Sequence, residues 1–149
     1  MTILAAVGEK HATRAIVETG YDLATTYGDD LQVLHVIPAE DAQEHFESLQ
    51  RIPDFRDAGF EVEHDRAKEV ARRMVDLALE EYDPDLVTPV GRVGDPAEEI
   101  LAQAENADAR YLVIGGRKRT PAGKALFGST TQTVILDSDR PVVTRMAEI

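Results

Sequence analysis

Apolar residues follow two alternating rhythms along this chain. Near-continuous apolar runs appear at Ile3-Leu4-Ala5-Ala6-Val7, Leu31-Gln32-Val33-Leu34-His35-Val36-Ile37 and Tyr111-Leu112-Val113-Ile114. Such runs describe strands covered on both faces. Between them, apolar positions recur with the helical period: Ala12, Ala15, Ile16, Thr19, Leu23, Ala24 and Tyr27, stopped by Gly28. The period returns after Glu63 with Ala67, Val70, Ala71, Met74, Val75, Ala78 and Tyr82, and Pro84 ends it. Leu86-Val87-Thr88-Pro89-Val90 is a third strand, and Pro89, with no N–H to give a ladder, places it at a sheet edge. Asp95, Pro96 and Glu98 then form a helix start, as N-cap, first helical residue and capping-box partner. Ile100, Leu101 and Ala104 give that helix its buried face. Ser129 caps a last helix whose apolar side holds Val134 and Ile135, and Pro141-Val142-Val143-Thr144 is a final short strand. Residues 38–62 are the least regular. Ala42, Phe46 and Leu49 line a short helix there, Pro53 and Gly59 break any longer one, and the stretch reads as an excursion covering the sheet edge or a ligand cleft.

Strands alternating with helices predict an α/β fold, a parallel doubly wound sheet of five strands. The length of 149 residues predicts a single domain, residues 1–149. In such a sheet ligands bind beyond the strand carboxyl ends, where the winding reverses.

Composition narrows the function. The formal charge is −12, which argues against nucleic acid as a partner. Cysteine is absent, so neither disulfides nor thiolate metal sites form. No run of 18 apolar residues and no basic-then-apolar leader occurs, so the expectation is a cytoplasmic protein without membrane partners. Asp and Glu number 14 each, against 12 Arg and 4 Lys. An acidic, lysine-poor surface suits high salt, where repulsion among carboxylates is screened, and points to a halophilic source.

Candidate chemistry concentrates after the fourth strand. Ile114 leads into Gly115 and Gly116. A basic loop follows with Arg117, Lys118, Arg119 and Lys124, and Gly128, Ser129 and Thr130 open the last helix. Glycines admit close backbone approach, helix-start N–H groups attract anions, and Arg and Lys pair with phosphate oxygens. The stretch therefore reads as a phosphate cradle, with the backbone N–H groups of Gly116, Gly128, Ser129 and Thr130 toward the anion.

This loop resembles the signature of the universal stress protein family: Gly, two residues, Gly, nine residues, Gly, then Ser or Thr. Gly115, Gly128 and Ser129 fall on three of those places, and Lys118 stands where the second Gly is expected. The opening strand, the Gly94-Asp95-Pro96-Ala97-Glu98-Glu99-Ile100 helix start and the closing Pro-Val-Val strand also fall where that family has them. The resemblance implies strand order 3-2-1-4-5, with the Pro89 and Pro141 strands at opposite edges. It places the crevice between the first strand, ending at Val7 and Gly8, and the fourth, ending at Ile114 and Gly115. It implies an adenine nucleotide as ligand, ATP with Mg²⁺ carried by its phosphates, whose base lies on a shelf of Ala6, Val7 and Val36. It also implies a stress-response role and a homodimer through the edge strand at 141–145. The family usually has Asp after the first strand, where this chain has Gly8, with Glu9 adjacent. The alternative reading is accordingly a dimeric interaction module of the same family that binds no nucleotide.

Other chemistries fit poorly. The chain lacks the Gly-x-x-x-x-Gly-Lys-Ser/Thr phosphate loop and the Gly-x-Gly-x-x-Gly dinucleotide fingerprint. Ser, His and Asp have no spacing recognisable for acyl transfer, so the reading is of a binding protein with at most slow ATP hydrolysis. A phosphoacceptor receiver needs an acidic cluster after the first strand and an Asp ending the third; Gly8-Glu9 and Gly91 stand there instead. His11, His45 and His64 show no paired metal spacing, His35 reads as structural, and His11 lies near the expected cleft.

Overall fold

The computed structural model describes residues 1–8, 13–116 and 127–146, together with the backbone of 118–119 and 125–126. The elements run β1 (Thr2–Ala6), α1 (Thr13–Tyr27), β2 (Asp30–Pro38), α2 (Ala39–Gln50), a 3₁₀ turn at Pro53–Phe55, α3 (Glu61–Ala78), β3 (Val87–Gly94), α4 (Pro96–Asn106), β4 (Ala109–Gly116), β5 (Lys118–Arg119), β6 (Ala125–Leu126), α5 (Ser129–Asp137) and β7 (Val142–Met146). Five strands form one parallel sheet in the order β3-β2-β1-β4-β7, the 3-2-1-4-5 winding. β5 and β6 form a separate two-residue antiparallel ladder, Lys118 opposite Leu126 and Arg119 opposite Ala125.

The apolar runs explain the layering. Alternate residues of β1 face opposite ways, so Ile3, Ala5 and Val7 join one core with Ile16, Val17 and Ala24 of α1 and Ala71 and Val75 of α3. Leu4 and Ala6 join a second core with Ile100 and Ala104 of α4 and Val134 of α5. Ile3, Leu4 and Ala5 have no exposed surface, as expected for a central strand.

Several boundaries differ from the pattern-based expectation. β3 does not stop at Val90 but continues through Gly94, paired to β2 from Leu31↔Val87 to Pro38↔Gly94. Gly91 explains the disguise, because α3 lies directly on the strand there. A Cβ on Gly91 would come within 2.6 Å of the His64 carbonyl oxygen. α3 ends at Ala78 rather than reaching Tyr82, although the Tyr82 ring still packs on the core and its hydroxyl donates to Asp76 at 3.0 Å. Ser129 is the first helical residue of α5, not its cap; Gly128 holds the cap position. Ile135 is exposed, leaving Val134 to fill the buried side of that helix. The helix expected within 38–62 is α2, with Ala42 fully buried.

At the amino ends of the strands, polar groups are consumed by one another. Asp29 is buried, and Arg110 donates to it through Nε at 2.7 Å and Nη2 at 3.4 Å. The Arg110 guanidinium also lies 4.6 Å from the centre of the Tyr27 ring. The Tyr27 and Tyr111 hydroxyls are 3.0 Å apart. Hydrogen bonding by Arg110 holds the Asp29 carboxyl below the usual carboxylate range.

Candidate functional site

The carboxyl ends of β1, β2 and β4 open into a cavity of about 520 Å³. This is where the winding reverses, because the chain leaves β1 toward β2 on one side and later returns on the other to form β4. Its floor is apolar: Ala6 ends β1 and Val7 follows it, Val36 lies near the end of β2, and Ile114 lies near the end of β4. His35 forms part of the lining and is itself buried. Its Nδ1 lies 3.0 Å from the Val7 carbonyl oxygen, so the ring ties the end of β1 to β2. The Val7 N–H donates to the Leu34 carbonyl at 2.8 Å, which extends that tie.

At the β4 side the rim is built by Gly115 and the first turn of α5. Thr131 Oγ1 donates to the Gly115 carbonyl at 2.9 Å, joining the strand end to the helix start. Thr130 lines the cavity. The first turn of α5 has no side-chain cap among the described residues, and the first bond within it, from Gln132 N–H to Gly128 oxygen, spans 3.0 Å. N–H groups before that point have no partner inside the helix. They supply donors, and the positive end of the helix dipole, beside the cavity mouth.

At the β2 side the rim comes from the two helices around the irregular stretch. Asp41 belongs to the first turn of α2, where negative charge suits the helix dipole, and it lines the cavity. Arg66 of α3 lines it as well. Its guanidinium is held by Glu63, which has no exposed surface. Arg66 Nε donates to Glu63 Oε2 at 3.0 Å, and Nη2 lies 2.9 Å from the same oxygen as an ion-pair contact. Glu63 Oε1 meets His45 Nδ1 of α2 at 2.6 Å, so the acid also joins α2 to α3.

The expected site residues divide accordingly. Ala6, Val7, Gly8, Val36, Ile114, Gly115 and Thr130 line the cavity. Gly116, Gly128 and Ser129 flank it without lining it. Gly116 is the last residue of β4 and is buried; a Cβ there would collide with Met146 and come within 3.1 Å of the Phe127 ring. Its missing side chain therefore serves packing against β7. Lys118 lies in β5, and its side chain, like that of Arg119, lies outside the described residues; so do Glu9, His11, Arg117 and Lys124. Asp41 and Arg66 were not singled out by sequence pattern. Pro38 closing a strand one residue before a helix was the available signal for Asp41. Nothing in the sequence distinguishes the Glu63–Arg66 pair from an ordinary surface pair at i,i+3.

The universal stress protein family model matches residues 1–144. The chain belongs to the universal stress protein family. A universal stress protein of Mycolicibacterium smegmatis is 46% identical over 55 residues, 37% of this chain and 41% of that protein. The stress response protein NhaX of Bacillus subtilis is 29% identical over 95% of this chain and 94% of its own. Two solved structures share the fold. A universal stress protein in complex with cAMP has a TM-score of 0.63 at 16% identity, with 99% of this chain and 98% of that one covered. The universal stress protein of Archaeoglobus fulgidus in complex with dAMP has a TM-score of 0.54 at 21% identity, covering 97% and 96%.

Against the family pattern, Gly8 departs where an acid is usual. The structure leaves room for one: a Cβ on Gly8 would meet nothing within 4 Å, and Gly8 is not among the glycines with positive φ. Thr13 Oγ1 donates to the Gly8 carbonyl at 2.9 Å, which ties the start of α1 to the chain just after β1. Among the described residues no group of three His, Cys, Asp or Glu side chains could hold a metal ion, and no helix is long and apolar enough to cross a membrane.

Proposed function

We propose that this universal stress protein binds an adenine nucleotide, ATP, as a cytoplasmic stress-response regulator rather than a true enzyme. The observation that carries the reading is the cavity itself. An apolar floor of Ala6, Val7 and Val36 suits a flat base, and the uncapped first turn of α5 beside Thr130 suits an anion. Bound cAMP and dAMP in the two solved relatives support an adenine-containing ligand. Ser129 and Thr130 N–H groups would meet phosphate, with charge from Lys118 and its basic neighbours, and Mg²⁺ would arrive on the phosphates.

Calorimetry with ATP, AMP and cAMP at low and molar salt tests this. The expectation is ATP binding that weakens with salt, because a lysine at position 118 replaces backbone geometry with screened charge. Lys118→Gly should flatten that salt slope while retaining binding. A protein that binds none of the three nucleotides, and carries none through heat denaturation of a fresh preparation, belongs to the second reading. That reading is a dimeric interaction module, and the absent acid at Gly8 is the observation in its favour.

We further propose a homodimer through β7, which among the described residues pairs with β4 alone and has its other edge unpaired. Val143→Lys should then yield monomers by light scattering. A monomeric parent protein at micromolar concentration would remove the idea.

A further inference from the structure

The Glu63 cluster has no role in the reading above. A carboxylate with no exposed surface is costly unless its partners are fixed around it, and this one is bound on both oxygens. His45 takes one oxygen and Arg66 the other. Both Arg66 contacts, from Nε and Nη2, end on Oε2. The guanidinium is therefore pinned along one edge, and its Nη1 makes no hydrogen bond among the described residues. A planar fork held this way loses little freedom when a further acceptor arrives.

The local charge decides what that acceptor is. Among the described residues, two carboxylates, Asp41 on the cavity wall and Glu63 behind Arg66, stand against one guanidinium at this end. A second phosphate here would face net negative charge. An uncharged heterocycle edge does not, and its bare ring nitrogens are hydrogen-bond acceptors. The anion-binding features lie at the opposite rim, at the start of α5. A nucleotide with its phosphates at α5 and its base across Val7 and Val36 presents the base edge to the α2 and α3 rim.

We propose that Arg66 is a specificity-determining residue that donates to a ring nitrogen of the bound base, with Glu63 and His45 as its positioning residues. The inference rests on the nucleotide reading above. It assigns the recognition of the base edge to a side chain of α3, apart from the strand ends that floor the cavity.

Titration calorimetry with ATP and its 1-deaza, 3-deaza and 7-deaza analogues tests it, each analogue replacing one ring nitrogen by C–H. The wild-type protein should bind one analogue about tenfold more weakly than ATP, the expected loss of a hydrogen bond to a charged donor. Arg66→Met should bind ATP about tenfold more weakly and no longer distinguish that analogue. Arg66→Lys, which keeps a charge but not the fork, should retain only part of the discrimination. Glu63→Gln should lie between wild type and Arg66→Met. A merely structural role for Arg66 would weaken all four ligands alike. ATP binding with no discrimination among the analogues, or discrimination that survives in Arg66→Met, overturns the proposal and leaves the nucleotide reading standing. Failure of the wild-type protein to bind ATP refutes both.

Discussion

The two ends of the sheet spend their polar residues differently. At the amino ends, Asp29, Arg110, Tyr27 and Tyr111 satisfy one another through two hydrogen bonds, a hydroxyl pair and a cation over a ring. At the carboxyl ends, Asp41, Arg66 and Thr130 line a cavity of about 520 Å³. The closed end stabilises, and the open end keeps donors and acceptors available to a ligand. Parallel strands deliver all their carboxyl ends to the same side, so this division follows from topology.

The largest expected effect comes from Gly91, which sets how closely α3 presses on β3 and hence where Arg66 sits. Gly91→Ala would drive a methyl group into α3 backbone and should cost about 3 kcal/mol of stability, read by denaturant unfolding. It should also weaken ATP binding, since the α3 wall moves outward.

Arg110→Met should lower the melting temperature by less, while leaving ATP affinity unchanged at temperatures where the protein stays folded. A parallel loss of affinity would erase the distinction between the two ends. The same pair sets a pH dependence. Asp29 has a lowered carboxyl pKa when folded, chiefly through the Arg110 hydrogen bonds. Its contribution is therefore fully present above the unfolded carboxylate value, about 4, and is lost as pH falls through the lower folded value. Melting temperature should drop from pH 5 to pH 3, and Asp29→Asn should make that drop shallower.

Salt acts on the whole surface. With a formal charge of −12, repulsion is relieved by screening, so the melting temperature should rise between low and molar KCl. A flat or falling curve would remove the high-salt reading of the composition.

The smallest effect on stability belongs to Gly8→Asp. The position is open, so the change should stay within about 0.5 kcal/mol. Its effect on the open end should be larger, restoring the acid usual in the family and tightening nucleotide binding.

Most of the sheet was legible in the sequence because strands buried on both faces must be almost wholly apolar, as Ile3 to Val7 and Tyr111 to Ile114 are. β3 was only half legible. Beyond Val90 it carries Gly91, Arg92 and Gly94, and glycine there reflects the nearness of α3, which no local pattern announces. The end of α3 was overrun because Tyr82 keeps the helical period and packs on the core from outside the helix. At the cavity, the contributions of β1 and β4 followed from topology. Those of α2 and α3 did not. Arg66 matters through a buried Glu63, and burial of one member of an i,i+3 pair depends on the neighbouring helix, here through His45.

Pro89 limits which margin of the sheet a further strand could join. The outer strand β3 carries it in mid-course, so its free edge lacks an N–H where a neighbouring strand would need one. The opposite outer strand, β7, contains no proline. One side of the sheet thus resists extension and the other does not. Growth into a fibre requires both sides of every unit, whereas a closed pair requires only one. A sheet with a single receptive margin would end any edge-to-edge assembly at two.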